Sequence, residues 1–355
     1  MAFPERVKAV ALLALFLVLA GVVSGNAEGV PAGRIADMRG DVSYRERDNV
    51  PYRPAQKDLG LEKGFWIKTG GSGWAVLLLL DGSKLTLANN TEIEISDFLV
   101  RKNRKSGIFK MAQGKLRASV IRLAGERVNY RIKSPTAVAG IKGTEFMMMT
   151  QGPANVCFGN EGTAELSGDG GQGKKLEADT MVQNTRGYAP TDPVKIEPDT
   201  PLSEAKKGFE AITAADPPAD WDLSGSLPHI IARWNINHGH YLSDSGKHEE
   251  ALHVFQIALD LSDNPEIRSD ARMERAAVYS RFLRNPEAAL AEYLLILEEY
   301  PRVPQRETTL YLTGMTLYEL GFKEQATERL LQYKREFPSG KHLSNVDTIL
   351  NVLSK

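Results

Sequence analysis

The sequence has 355 residues, with 44 Lys and Arg against 45 Asp and Glu, so its formal net charge at neutral pH is −1. A chain of this length is enough for two or three domains of ordinary size. Its single cysteine, Cys157, excludes an internal disulfide, so the fold must be held by burial alone. Cys157 lies in an alternating apolar run and is interpreted as a small buried hydrophobe rather than a nucleophile.

The first 27 residues have the layout of a secretory signal peptide. Arg6 and Lys8 precede an apolar run from Ala9 to Val23, and small residues follow at Gly25 and Ala27. The run has about fifteen residues, short of the roughly twenty that span a bilayer. We therefore expect cleavage near Ala27 and a periplasmic or secreted protein that is not integral to the membrane and does not meet nucleic acid. Retention of the run as an anchor is the alternative.

Residues 28–188 alternate apolar and polar side chains in short runs that are broken by Gly, Asp and Asn. Val76, Leu78 and Leu80 lead into the turn Asp81-Gly82-Ser83, after which the alternation resumes. Period two with frequent turn residues predicts an all-β domain, either a sandwich or barrel or a short β-solenoid. The Asp-Gly pair favours a tight hairpin turn, because glycine accepts positive φ.

Positive charge is concentrated between Arg101 and Lys142, where twelve basic residues stand against one acid, Glu126. Such a stretch predicts an anionic partner, and for an exported protein we expect an acidic protein surface or an anionic envelope glycan such as peptidoglycan. An ordinary solvated face is the alternative. The candidate anion-binding residues are Arg101, Lys102, Arg104 and Lys105.

Residues 189–226 are rich in Pro and Asp and are interpreted as a linker with one helix. From residue 227 to 355 the period becomes helical, and four positions recur in three units. Each unit begins with a small residue, and a predicted turn residue follows seven positions later. An alanine lies five positions after the turn residue, and a large apolar residue lies nine positions after it. These sets are Gly239, Gly246, Ala251, Phe255; Ala277, Arg284, Ala289, Tyr293; and Gly314, Gly321, Ala326, Leu330, and prolines at 265, 301 and 338 are expected to close the units.

The repeated unit resembles the tetratricopeptide repeat (TPR), and the linker residues Ala205, Phe209 and Pro217 have the spacing of its second helix, so the linker helix is a candidate degenerate repeat. The resemblance implies stacked helix pairs whose first helices line a groove that binds peptides or partner domains. The candidate partner-binding residues in these first helices are Arg233, Asn237, Arg272, Arg275, Tyr311 and Thr313.

Two motifs that look catalytic are better explained structurally. The glycine-rich SGDGGQGKK at residues 167–175 lacks the Ser or Thr of a phosphate loop and lies between β-like segments. His248 and His253 are five residues apart, which separates them by about 140° on a helix and prevents them from sharing a metal ion. The sequence predicts no catalytic, cofactor-binding or metal-binding residues, no cofactor, and a protein that is not an enzyme.

The β half resembles the FecR family domain over about residues 40–166. The resemblance rests on DGSKLTL at residues 81–87, MAQGKLRASV at 111–120, IKSPTAVAGIKGTEFMM at 132–148 and VCFGNEGTAEL at 156–166. In the third segment we expect Gly140 and Gly143 to permit a bend, and Phe146 and Met148 to lie on one face. The resemblance implies a periplasmic domain of regulators that relay a receptor's state to a sigma factor across the membrane. Only eight residues precede the apolar run here, so this relay is not expected.

Three functions follow from these features. The leading hypothesis is an exported, non-enzymatic adaptor that binds a protein partner of the cell envelope in the repeat groove. The second is an envelope-glycan binding module that uses the basic stretch 101–142. The third is a FecR-type regulator, which requires the N-terminal apolar segment to remain as an anchor.

Overall fold

The computed structural model describes residues 29–141, 145–168 and 172–354. The predicted signal peptide and Gly143 of the predicted bend therefore lie outside the described residues. All the elements below belong to one compact unit, Pro31–Lys355.

Residues 31–195 form β-strands, as the alternation predicts. The strands of the described residues are β1 Pro31–Arg39, β2 Val42–Arg45, β3 Arg53–Pro54, β4 Gly60–Glu62, β5 Trp66–Thr69, β6 Trp74–Leu79, β7 Lys84–Leu87, β8 Glu92–Arg101, β9 Arg104–Ser119, β10 Arg127–Lys133, β11 Ala137–Ile141, β12 Glu145–Gln151, β13 Ala154–Glu161, β14 Thr163–Gly168, β15 Lys174–Glu177, β16 Thr180–Asn184 and β17 Val194–Lys195.

The strands form two sheets that share the long strand β9. The central sheet has the order β4-β1-β6-β7-β9-β12-β13-β16-β17. The outer sheet has the order β3-β2-β5-β8-β9-β10-β11-β14-β15, in which β10 runs parallel to β9. The change of sheet falls at Gly114, whose φ is +112° and where a Cβ would lie 2.3 Å from the Cα of Thr91. Only glycine fits this position, because both the backbone angle and the space exclude a side chain.

One apolar core fills the space between the two sheets, which together form a sandwich. Ile93 and Phe109 enter it from the outer sheet, and Leu77, Phe146 and Met148 enter it from the central sheet. The prediction that Phe146 and Met148 share one face is confirmed. Cys157 is buried in the same core, where desolvation raises the pKa of its thiol, so it packs as a small hydrophobe.

Residues from 201 onward form helices. Those of the described residues are α1 Pro201–Ile212, α2 Asp222–Asp244, α3 His248–Leu261, α4 Pro265–Ala277, α5 Pro286–Glu299, α6 Arg306–Glu319, α7 Lys323–Glu336 and α8 Leu343–Leu353, and a π-helical segment, Val278–Phe282, extends α4. The pairs α2–α3, α4–α5 and α6–α7 pack as hairpins in chain order. Across residues 29–141, 145–168 and 172–354, none of the helices combines the length and the apolar character that a membrane span requires.

The predicted repeat register is confirmed at its tightest contacts. A Cβ on Gly239 would lie 2.4 Å from the Phe255 ring, and one on Gly314 would lie 2.5 Å from the Leu330 side chain. The small residue of the first helix therefore receives the large residue of the second. The three predicted turn residues all adopt left-handed φ, +80° at Gly246, +50° at Arg284 and +83° at Gly321.

Two boundaries differ from the sequence interpretation. The first repeat helix begins at Asp222, within the predicted linker 189–226, and it contains Pro228. Pro265 opens α4 instead of closing the preceding unit, since it occupies the first helical position behind the N-cap Asn264. A backbone N–H at the first helical position makes no hydrogen bond within the helix, so proline, which has no N–H, is well tolerated there.

Helices α1 and α2 cover the second face of the central sheet. Met147, Met149 and Phe158 point away from the sandwich core into a second core that is shared with these helices. The rings of Phe158 and Phe209 meet edge to face at 6.1 Å between centroids. The two halves are therefore not separate domains joined only by a linker, because the helices form one side of the β-domain's second core.

Candidate interaction surfaces

The predicted partner-binding arginines in α2 and α4 serve mainly to join helices. Arg233 of α2 pairs with Asp270 of α4. Arg272 and Arg275 of α4 both bind the buried carboxylate of Glu292 in α5, at 3.0 and 2.7 Å. The side chains of these two arginines are only 11% and 13% exposed, so most of their surface is not offered to a partner.

The predicted pair in α6 is also largely internal. Thr313 is fully buried and donates a hydrogen bond to the carbonyl of Thr309. Tyr311 is half-buried, its ring is stacked on His342 at 4.1 Å, and its hydroxyl accepts a hydrogen bond from Asn345 of α8. Helical spacing identified the correct helix but did not resolve which side of it faces a neighbour.

A row of stacked aromatic rings on α2, half-buried at Trp234 and His238 and exposed at Tyr241, was not predicted. Trp234, His238 and Tyr241 are spaced i, i+4 and i+7, with centroid distances of 4.7 Å and 6.5 Å between successive rings. Tyr241 is 67% exposed, and Asn237, which the sequence did suggest, is exposed beside it. The sequence does contain three aromatic or heteroaromatic residues at helical spacing. That pattern is also typical of the buried face of a helix, so it did not indicate an exposed ring.

Lys105 does not belong to the predicted anion-binding patch. It alternates inward on β9, is 5% exposed, and its Nζ lies 2.8 Å from Glu126 and 3.7 Å from Asp81. Asp81 also accepts hydrogen bonds from the backbone N–H and hydroxyl of Ser83, and that hydroxyl accepts one from the N–H of Ile121. The Asp-Gly-Ser turn is thus the centre of a buried polar network, which is a structural role.

The outward neighbours of Lys105 form a row of arginines. Arg101 and Arg104 are register partners across the β8–β9 hairpin, and Arg104 and Arg127 are partners across β9 and β10. The three side chains therefore lie side by side on the outer sheet, and Lys102 lies in the hairpin turn. Within the part of the chain that the structure describes, none of these four has an ion pair. Arg127 belongs to this row but was not among the candidate anion-binding residues, because it lies far from Arg104 along the chain.

The histidines make separate contacts. His248 stacks on Phe282 at 4.5 Å and His253 on Tyr188 at 4.4 Å, so the two diverge as their spacing indicates. Burial lowers the pKa of His253 to about 4, so its imidazole is neutral at neutral pH. Among the described residues, no three His, Cys, Asp or Glu side chains are placed to hold one metal ion.

Residues 66–165 match the FecR protein family. This part of the chain is a FecR domain. The match runs from β5 to β14 and includes the shared strand β9, the Asp81 network and the Gly114 crossing. No curated protein matches the sequence.

Solved structures with similar parts fall into two groups. A candidate anti-sigma factor from Parabacteroides distasonis is 12% identical with a TM-score of 0.33, covering 41% of this chain and 64% of its own, so the likeness spans less than two thirds of that protein. The Hsp90 co-chaperone Cns1 from Saccharomyces cerevisiae is 19% identical, with a TM-score of 0.31 and coverages of 35% and 39%. The first TPR domain of human RPAP3 is 19% identical, with a TM-score of 0.29 and coverages of 36% and 91%. The family match gives the FecR domain, and the register of Gly239, Gly314 and their partners gives the TPR-like helical repeats that follow it.

Proposed function

We propose that the protein is an exported, non-enzymatic adaptor whose helical repeats bind a protein partner of the cell envelope. The observation that carries this proposal is the stacked row of Trp234, His238 and Tyr241 on α2, which runs from the half-buried Trp234 and His238 to the exposed Tyr241 and is flanked by the exposed polar Asn237. Tyr and Trp are enriched where proteins meet, because each buries a large area and keeps a polar end for hydrogen bonding. We expect Tyr241 to be the main anchor, since it is the most exposed ring of the row.

The shared second core gives the adaptor a fixed geometry. Helix α2 carries the aromatic row on one side and buries Leu227 and Ile231 against the central sheet on another. Gln183 of β16 and Asn235 of α2 exchange two hydrogen bonds inside this junction. A partner on α2 would therefore be held at a set position relative to the FecR domain, as a scaffold requires.

The test is site-specific photocrosslinking in producing cells. A photoreactive residue replaces Asn237 or Tyr241, and the matched control replaces Gln325, which is exposed on α7. We expect one discrete crosslinked product at the α2 positions and none at Gln325. Equal products at all three positions, or none at any, would overturn the proposal. Deleting the repeats is a poor test, because it would expose Met147, Met149 and Phe158.

A regulator that relays a signal to a sigma factor is the second candidate, and the FecR match is what favours it. This function needs the apolar run Ala9–Val23 to stay in the membrane, whereas the adaptor proposal has it removed on export. N-terminal sequencing of the protein from cell envelopes separates the two. A start near Glu28 supports the adaptor, and an intact N-terminus supports the regulator.

A further inference from the structure

One end of the sandwich brings three chain segments together. These are the turn after β6 (residues 80–84), the β8–β9 hairpin end (99–104) and the loop from β9 to β10 (120–127). Lys105 connects the first and third segments, since it contacts Asp81, Glu126 and the carbonyl of Ile121. The N–H of Arg127 donates to the carbonyl of Asn103 at 3.0 Å, which joins the second and third. We call this end, defined by the three segments, the basic tip.

The basic tip exposes large apolar side chains. Leu80 is 60% exposed, Val100 39%, Ile121 45% and Leu123 60%. From β1 to β16, every exposed large apolar side chain of the described residues belongs to one of these three segments. A single exposed apolar side chain needs no explanation, but four on segments that contact each other indicate a contact surface.

The same segments carry positive charge without exposed compensation. Arg101, Arg104 and Arg127 form the row across β8, β9 and β10, and Lys84 and Lys102 flank it. Like charges placed directly across strands destabilise a sheet. The two acids of these segments, Asp81 and Glu126, are both engaged by Lys105. The charge is therefore directed at an external anion.

We propose that the basic tip docks on a bilayer surface containing anionic phospholipid. Apolar side chains at the end of rigid loops can enter the boundary between headgroups and acyl chains, while a surrounding ring of Arg and Lys binds the phosphates. Arginine suits this role because its planar guanidinium forms bidentate hydrogen bonds with phosphate. A soluble polyanion or a glycan would use the arginine row alone and leave Leu80 and Leu123 without a partner.

The experiment is cosedimentation of the purified protein with phosphatidylcholine vesicles, with and without phosphatidylglycerol. Arg104→Gln/Arg127→Gln removes charge from the row, and Leu80→Ser/Leu123→Ser removes apolar surface. The matched control, Leu331→Ser/Arg302→Gln, changes an exposed leucine and an exposed arginine of the repeats. Any binding through the run Ala9–Val23 would be the same in all variants and on neutral vesicles, so the difference between vesicle types isolates the tip.

We expect binding that depends on phosphatidylglycerol, roughly thirtyfold weaker in the arginine variant and roughly tenfold weaker in the leucine variant. The control variant should bind like the wild type. Absence of lipid-dependent binding, or a full effect of the arginine variant with no effect of the leucine variant, would overturn the proposal. So would tighter binding to sedimented peptidoglycan that survives Leu80→Ser/Leu123→Ser.

A fluorescent label gives an independent readout. Leu123→Cys places a reactive thiol at the tip, and buried Cys157 does not compete, because burial raises the pKa of its thiol. An environment-sensitive label at position 123 should shift to shorter wavelength with phosphatidylglycerol vesicles and not with neutral ones. The same label at Leu331→Cys should not shift. An unchanged spectrum at position 123 on bound vesicles would exclude insertion of the tip.

Discussion

The side-chain amides of Gln183 and Asn235 exchange two hydrogen bonds between β16 and α2, and both residues are fully buried. Replacing one of them by an apolar residue leaves the other amide buried and unpaired. We expect Gln183→Met or Asn235→Leu alone to lower the free energy of unfolding by about 1–3 kcal/mol. The measurement is urea denaturation.

The double variant distinguishes pairing from packing. If the amides act as a pair, Gln183→Met/Asn235→Leu should cost less than the sum of the two single changes, because neither amide remains unpaired. Strict additivity would show that each amide contributes through other contacts. In that case the junction between the FecR domain and the repeats would not depend on the pairing of these two amides.

The close contact of Gly239 with Phe255 predicts a sharp difference between two glycines of one helix. Gly239→Ala places a methyl group 2.4 Å from the Phe255 ring, and we expect a loss of about 1–3 kcal/mol in unfolding free energy. Gly225→Ala is the control, since nothing lies within 4 Å of its added Cβ. It should be neutral or stabilising by up to about 1 kcal/mol, through the higher helix propensity of alanine. Thermal unfolding measures both, and equal effects would contradict the packing register.

Arg284 occupies a turn position where the other two repeats carry glycine. Its φ is +50°, and the matching Gly246 and Gly321 have +80° and +83°. A residue with a Cβ costs about 1 kcal/mol or more in this left-handed region. We expect Arg284→Gly to raise the midpoint of thermal unfolding, whereas Gly321→Ala should lower it. A lower midpoint for Arg284→Gly would mean that the arginine side chain compensates for its backbone conformation.

The periodicity of the sequence predicted the β half and the helical half, but it did not predict that the two pack against each other. The alternation of Phe146 and Met148 was visible, and so were the repeat glycines, because each depends on neighbours along the chain. The burial of Met147 and Met149 on the opposite face depends on α1 and α2, which are distant in sequence. The run of three methionines was the one local sign that both faces of β12 are covered.

The charged surfaces also depend on contacts between residues that are distant in sequence. The sequence grouped Arg101, Lys102, Arg104 and Lys105, but strand alternation turns Lys105 inward, and parallel pairing brings Arg127 beside Arg104. The pairing of Arg127 with Arg104 cannot be read without knowing which strands are neighbours. In the repeats, Arg272 and Arg275 looked like surface residues because Glu292, their shared partner, belongs to the next helix.

Lys115 provides a pH-dependent test of the central sheet. It is 6% exposed and shares its side of the sheet with its register partner Met149, and burial lowers its pKa from the usual 10.5 to about 8. At pH 7 both the folded and the unfolded chain hold the proton, so the folded state bears the cost of a buried charge. We expect Lys115→Met to raise the unfolding free energy at pH 7 by about 1–3 kcal/mol.

The sign of the pH effect follows from proton binding. Between pH 8 and 10.5 the unfolded chain keeps the Lys115 proton and the folded chain has released it, so this group makes stability rise with pH across that window. Lys115→Met removes that rise, and its advantage over the wild type should shrink as pH increases from 8 to 10. Urea denaturation at pH 7, 8, 9 and 10 measures the difference. A constant difference would show that the ammonium group reaches water in the folded protein, and that the helices cover this part of the central sheet less completely than its low exposure indicates.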